Sequence, residues 1–294
     1  ALEKEIEVVG VQKGFAGLLE GLCVPMTTRS VSGLLQRGGT FLQSARCLKM
    51  HEAEGQQQAL KTLSRHEIDG LIVIGGDGSL HGALALHQLG VKVIGIPASI
   101  DNDISCTDLS LGGDPAMNNI ISAVDCLKDT ASSHDRAFVV ETMGRNCGYL
   151  AVAATIACGA EFALIPERSY DINAISQKLN ERFREGRDNS LIIVAEGVAT
   201  ASEIADQLKN CEGFETRIMV LGHYQRGGSP SAFDRMLAAR FGIAAVEALL
   251  NGESGKMLGL SCAQIALHDL EDVFAAGRRP IDESMLKLLK PLGC

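Results

Sequence analysis

Short runs of apolar residues alternate along the chain with stretches of helical periodicity. The apolar runs fall at residues 6–11, 70–74, 92–96, 137–141, 162–165, 191–195 and 217–221, and their length predicts strands. Between them, residues 54–66, 79–89, 115–132, 148–158 and 172–185 place apolar positions three and four apart and predict helices. Strand–helix alternation of this kind predicts an α/β fold with a mainly parallel sheet and helices on both of its faces. The glycine pairs Gly112–Gly113 and Gly227–Gly228 suggest boundaries between two lobes. Ala1–Lys4 reads as the tail of a helix feeding the first strand.

Composition narrows the function classes. The 294 residues are 46% hydrophobic and 21% charged, enough for a sizeable core, and the formal net charge is −9. An acidic chain argues against general nucleic-acid binding, where a basic surface supplies most of the affinity. It leaves room for a phosphorylated ligand held by a concentrated arginine cluster. Nine cysteines without a C-x-x-C pair predict reduced thiols rather than a disulfide framework or a zinc site. Residues 148–166 are the most apolar stretch. Glu161 interrupts them, so a buried helix and strand are expected there rather than a membrane span, in a cytoplasmic protein.

Two segments carry candidate chemistry. Leu71 to Ser79 reads Leu-Ile-Val-Ile-Gly-Gly-Asp-Gly-Ser, a buried strand running into a glycine turn and then a helix. Gly75, Gly76 and Gly78 let the backbone approach a ligand, and Ser79 is expected to cap a helix whose free N–H groups favour anions. Asp77 could hold Mg²⁺ against phosphates. The segment is neither G-x-x-x-x-G-K-[ST] nor G-x-G-x-x-G, and a tight turn without ligand is the bland alternative. The next strand ends in Ile-Pro-Ala-Ser-Ile-Asp-Asn-Asp, residues 96–103. Ligands bind at the carboxyl ends of strands in open α/β sheets, which would bring Asp77, Asp101 and Asp103 to one edge. Phosphoryl transfer needs a metal holder and a group that takes the proton of the attacking hydroxyl. Asp101 suits the base, Asp103 a water-mediated metal contact, and Ser99 could orient the acceptor. An Asx turn that merely caps the next segment of chain is the alternative.

Basic residues gather near predicted strand ends. Arg46 precedes a helix, Arg136 leads a strand, and Arg145 follows one in Met143-Gly144-Arg145. Arg217 opens another strand, with His223 and Arg226 just beyond it. Arginine grips phosphate bidentately, so this set suggests a sugar-phosphate site, with Glu196 accepting from sugar hydroxyls.

Taken together, residues 37–46, 71–79, 97–103, 132–148, 195–197 and 215–235 resemble the phosphofructokinase family, in that family's order and spacing. The resemblance implies two similar Rossmann-like lobes with mainly parallel sheets, the second inserted in the first. The ATP-binding lobe would comprise residues 1–112 and 225–275, and the sugar-phosphate lobe residues 113–224 and 276–294. It implies transfer of the ATP γ-phosphate to the C1 hydroxyl of fructose 6-phosphate in the cleft. Asp101 would be the base, Asp77 and Asp103 would serve Mg²⁺, and Arg46 and Arg145 would stabilise the transferring group, with Ser99 beside it. Arg46, Cys47, Gly76, Asp77, Gly78 and Ser79 would contact ATP. Met143, Gly144, Glu196, His223 and Arg226 would hold the sugar phosphate. Arg136 and Arg217 would reach across from a neighbouring subunit, which implies a homo-oligomer, typically a tetramer.

Gly78 and Ala98 stand where pyrophosphate-using relatives carry Asp and Lys, so ATP is the expected donor. Lys128, Glu161 and Arg187 resemble nucleotide-effector contacts, although Glu185 stands where a basic residue is common. The family's opening strand and glycine-rich phosphate loop have no counterpart here, so a longer protein or a poorly folding fragment is expected. Three alternatives stay open: a catalytically impaired or regulatory sugar-phosphate-binding subunit, the pyrophosphate-dependent reaction, and a lipid or NAD kinase sharing the Gly-Gly-Asp-Gly turn.

Overall fold

The computed structural model describes residues 1–131, 136–186, 189–212 and 216–292. In chain order the first elements are β1 (Val8–Val11), α1 (Gly14–Glu20), β2 (Cys23–Met26), α2 (Ala53–Arg65), β3 (Leu71–Gly75), α3 (Asp77–Gln88), β4 (Val93–Pro97) and α4 (Gly113–Ala131). Then come β5 (Arg136–Thr142), α5 (Tyr149–Cys158), β6 (Phe162–Leu164), α6 (Ile172–Arg184), β7 (Asn189–Ala195), α7 (Ala201–Glu212) and β8 (Thr216–Val220). The last are α8 (Ala232–Leu250), β9 (Lys256–Ser261), β10 (Gln264–Asp269), α9 (Leu270–Ala275) and α10 (Glu283–Leu292). The backbone divides into two compact units. The first is Ala1–Ser99, Ile104–Gly112 and Gly228–Arg278; the second is Ile100–Asp103, Gly113–Gly227 and Arg279–Cys294.

In the first unit the sheet order is β10-β9-β4-β3. β3, β4 and β9 run parallel, with Gly75 opposite Pro97, and β10 folds back antiparallel on β9. Side chains alternate across the sheet, as the two-residue period of a strand requires. Val73, Val93 and Met257 face a core shared with Leu63 of α2 and Leu80 and Leu86 of α3. Ile94, Ile96, Leu258 and Leu260 face the other way, onto Leu237 and Phe241 of α8. All five residues of β4 are buried.

Three expectations are corrected here. The run at 6–11 does not join a parallel sheet: β1 pairs antiparallel with β2, Val8 opposite Met26. The β9–β10 hairpin was not expected at all. Its turn places Cys262 and Ala263 at φ 47° and 65°, a left-handed pair ordinarily marked by Asn or Gly. Residues Leu2–Lys4 form a short 3₁₀ turn rather than the tail of an α-helix.

The second unit holds a wholly parallel sheet of order β6-β7-β5-β8. Leu191, Ile193 and Ala195 of β7 pack with α4, α5 and α10, while Ile192 and Val194 pack with α6 and α7. Such a strand, buried on both faces, has to read as a continuous apolar run, which it does. Among the described residues no helix is long and apolar enough to cross a membrane.

These packings separate two isoleucines. Ile193 is fully buried in β7, whereas Ile243 on α8 is 62% exposed. Ile193→Ala should cost about 2–5 kcal/mol by chemical denaturation, and Ile243→Ala no more than about 0.5 kcal/mol.

Candidate active site

In the first unit β3 delivers Gly75 and Gly76 to a turn that opens α3. The helix begins at Asp77 with Gly76 as its cap residue and no side-chain capping bond. Ser79 therefore is not the cap, contrary to expectation. It lies in the first turn, its N–H already bonded to the Gly76 carbonyl at 2.9 Å. A Cβ on Gly75 would strike the Ser79 side chain, so a glycine there lets strand and helix meet closely. A Cβ on Gly78 would meet nothing within 4 Å, so the space beside this turn is open. The Asp77 side chain is 62% exposed and lies 3.5 Å from His81 Nδ1, one helical turn on. An exposed carboxylate at a helix start with spare N–H groups suits a hydrated divalent cation carrying phosphate. Arg46 lies exposed in the segment leading to the 3₁₀ turn Leu48–His51. The neighbouring Cys47 is half-buried against the unit's core. Beyond β4, the Ser99 carbonyl accepts the Ser110 hydroxyl at 2.5 Å.

The second unit assembles the candidate reaction residues more tightly. Asp101 is 4% exposed, and its Oδ2 lies 3.5 Å from Arg145 Nε. Burial pushes its carboxyl above the usual range. The Asp103 charge adds to this and Glu196 adds less, while Arg145 and Arg226 pull the other way. Burial dominates because removing water penalises the ionised form more than one largely exposed guanidinium favours it.

Both sides of this pair are fixed by backbone geometry. Arg145 has φ 52°, in the left-handed region. Glu196, just past β7, holds it there by accepting the Arg145 N–H on Oε1 at 2.9 Å. Gly197 is required beside it, because a Cβ would collide with the Arg145 carbonyl. Glu196 was expected to meet sugar hydroxyls, and here one of its oxygens already orients this turn. On the other side Asn102 is 1% exposed at φ 49°. Its side chain is hydrogen-bonded to the Tyr149 side chain, while Arg279 N–H donates to the Asp103 carbonyl at 3.0 Å. The Arg279 guanidinium also lies 5.6 Å from the centre of the Tyr149 ring.

Cys147, buried between these loops, has its thiol pushed up to about 11, chiefly by burial. It stays protonated at neutral pH and is no nucleophile.

The remaining predicted residues belong to loops beside these. Met143 and Gly144 follow β5, with Gly144 at φ 137°. His223 and Arg226 are exposed on the 3₁₀ turn Gly222–Arg226 that follows β8. Arg217 is exposed on β8, the edge strand. Arg136 begins β5, but its side chain lies outside the described residues, as does Arg187 altogether. The two other expected effector contacts are engaged internally: Lys128 Nζ donates to the Cys158 carbonyl. Glu161 takes Arg182 at 2.7 Å and the Leu191 N–H at 2.6 Å. Two supporting side chains were not anticipated. Glu167 receives the Gly148 N–H on both oxygens, at 2.9 and 3.2 Å, and so fixes the start of α5. Gln225 sits between His223 and Arg226 in sequence, and its neighbours were its only signal.

The charge state of Asp101 gives a stability test. A folded-state pKa above the usual 3.8 means the folded chain holds this proton more tightly than the unfolded one. The stabilising contribution is complete below 3.8 and is lost as pH rises through the folded value. Asp101→Asn removes the buried charge and leaves only a largely exposed arginine behind. Its melting temperature should exceed the parent's at pH 7, with the gap closing as the pH is lowered towards 3.8.

A family model described as phosphofructokinase matches residues 1–249. An ATP-dependent 6-phosphofructokinase of Brevibacillus brevis is 46% identical over 288 residues, covering 98% of this chain and 90% of the relative. One of the same description from Thermotoga neapolitana is 48% identical over 260 residues, 88% of this chain and 82% of the relative. Among solved structures, Pichia pastoris phosphofructokinase in the T-state superposes with a TM-score of 0.89 at 34% identity. That match covers 99% of this chain, which spans only 34% of the yeast chain. With its strand-end aspartates, its arginine turn and these matches over most of its length, the chain belongs to the phosphofructokinase family.

Proposed function

We propose that this chain transfers the γ-phosphoryl group of ATP to the C1 hydroxyl of fructose 6-phosphate, giving fructose 1,6-bisphosphate. The observation that carries the reading is the buried Asp101 carboxylate 3.5 Å from Arg145, in a turn locked by Glu196. Phosphoryl transfer asks little covalent chemistry of the protein; it asks for positioning and for charge placed where charge develops. Asp101 accepts the proton of the attacking hydroxyl, and its raised pKa makes it a better base than an exposed carboxylate once it is ionised. Arg145, on the rim of the same pocket of charge, stabilises the phosphoryl oxygens as they separate from the leaving group. Arg46 assists from the first unit, and Ser99 orients the acceptor. Met143, Gly144, Glu196, His223 and Arg226 hold the sugar phosphate, the guanidinium of Arg226 gripping the 6-phosphate.

Arg46, Cys47, Gly76, Gly78 and Ser79 take the nucleotide, with Asp77 and Asp103 serving Mg²⁺. The ion would neutralise charge on the β- and γ-phosphates. ATP rather than pyrophosphate is favoured because Gly78 leaves open space beside the phosphate turn and Ala98 adds no cation there. Both relatives described above are named as ATP-dependent enzymes. A homo-oligomer, a tetramer by family resemblance, would bring Arg136 and Arg217 to a neighbour's sugar-phosphate site. The exposure of Arg217 on an edge strand accords with that role.

The proposal is tested by coupled assay with fructose 6-phosphate, ATP and Mg²⁺. Asp101→Asn should lower kcat by about 10²–10⁴-fold, the range expected for losing a general base, with KM for both substrates changed far less. A variant that retains full kcat overturns the assignment. Gly78→Asp places a carboxylate at the phosphate turn and should raise KM for ATP by at least about tenfold, one added like-charge contact being worth roughly 1.4 kcal/mol or more. Unchanged ATP kinetics would refute the donor reading.

A further inference from the structure

The sugar-phosphate contacts proposed above lie on two separate strand-exit loops of the second unit. Met143, Gly144 and Arg145 follow β5; His223 and Arg226 follow β8 on the 3₁₀ turn Gly222–Arg226. The first segment is irregular and the second is a single 3₁₀ turn, and β5 and β8 stop pairing before either is reached: their last matched residues are Glu141 and Val220. Something other than the sheet ladder has to fix the distance between them.

We infer that Gln225 is the positioning residue that holds the two halves of the sugar-phosphate site in register. Its side chain is buried at 1% exposure although the flanking Tyr224 and Arg226 are exposed. Gln225 Oε1 accepts the Met143 N–H at 3.2 Å, and Nε2 donates to the Gly222 carbonyl at 3.2 Å. One planar amide thus bridges the first residue of one loop to the first residue of the other. The assignment is unambiguous, because only one orientation of the amide offers an acceptor to the N–H and a donor to the carbonyl.

Asn119 of α4 closes the far end of the turn. Its Nδ2 donates to the Gly227 carbonyl at 2.8 Å, with the Tyr224 and Gln225 carbonyls at 3.4 and 3.5 Å. The turn is therefore pinned at both ends by side-chain amides, with His223 and Arg226 projecting between them. A residue able only to accept or only to donate leaves one of these part-buried backbone groups without its Gln225 bond, and one able to do neither leaves both. The loops would then shift relative to each other. A guanidinium grips phosphate through fixed fork geometry, so a displacement of about 1 Å at Arg226 is enough to lose most of its grip.

The inference rests on the sugar-phosphate reading, and the experiment separates the two. Binding of fructose 6-phosphate alone is measured by calorimetry for the parent, Arg226→Ala, Gln225→Leu and Gln225→Glu, and steady-state kinetics and melting temperatures are recorded on the same samples. Arg226→Ala should weaken binding; if it does not, the sugar-phosphate reading fails. Gln225→Leu should weaken fructose 6-phosphate binding by about 10–100-fold, the range expected for an unpaired buried polar group. KM for ATP should change less than about twofold, since the nucleotide turn lies in the other unit.

Gln225→Glu keeps the acceptor for Met143 N–H and loses the donor to Gly222. It should also weaken fructose 6-phosphate binding while sparing KM for ATP, and it carries the test should Gln225→Leu not fold. A merely structural role would lower melting temperature without separating the two KM values. Arg226→Ala weakening the sugar phosphate while the folded Gln225 variants leave it unchanged, or move both KM values alike, overturns the positioning role.

Discussion

A carboxylate withheld from water beside a guanidinium left partly in it is the interaction on which the rest of this site depends. Asp101 is buried far more deeply than Arg145. The pair is therefore not a balanced salt bridge. Burial raises the carboxyl's affinity for a proton, and the arginine pulls the other way. Two surface charges would screen each other and do little, while two deeply buried ones would lock together at a large desolvation cost. The asymmetry leaves a basic oxygen facing inward and a cationic fork still able to meet a ligand.

Holding that asymmetry requires backbone conformations that do not arise by themselves. Asn102 and Arg145 both occupy the left-handed region, which is uncommon for residues with a Cβ. Both are held by neighbouring groups: Asn102 by Tyr149, Arg145 by Glu196. The same device recurs through the second unit. Glu141 accepts the Ala201 N–H that opens α7, Glu167 the Gly148 N–H before α5, and Gln225 the Met143 N–H after β5. At the ends of parallel strands the ladder runs out and backbone donors would otherwise face the interior unpaired. Here side-chain oxygens take them, and these bonds decide where the loops go.

The two units differ in how openly they present their chemistry. In the first, Asp77 stands exposed at a helix start, with open space at Gly78. That suits a hydrated ion and phosphates, which bring their own charge and water. In the second, the candidate base is dry and the candidate phosphate grips, Arg145 and Arg226, stand at the surface.

The apolar runs at residues 92–96 and 191–195 determined their strands, because strands buried on both faces leave no polar position with which to mislead, and the run at 70–74 did so although its strand lies at the sheet edge with Ile74 62% exposed. Spacing likewise determined that Asp77, Asp101 and Arg145 stand just beyond strand ends, and the order of these segments determined the family. The hairpin of β9 and β10 was not legible, since its turn carries Cys262 and Ala263 at left-handed positions ordinarily marked by Asn or Gly. β2 was hidden by Pro25, and β1 was assigned to the wrong kind of sheet because pairing partners are chosen in space rather than along the chain. Nor could the sequence reveal that Glu196 orients a backbone turn, that Glu161 is engaged by Arg182, or that Gln225 is buried between two exposed neighbours. Periodicity reports which face of an element is dry. Which donor a polar side chain meets depends on a residue often dozens of positions away, and that only the folded chain decides.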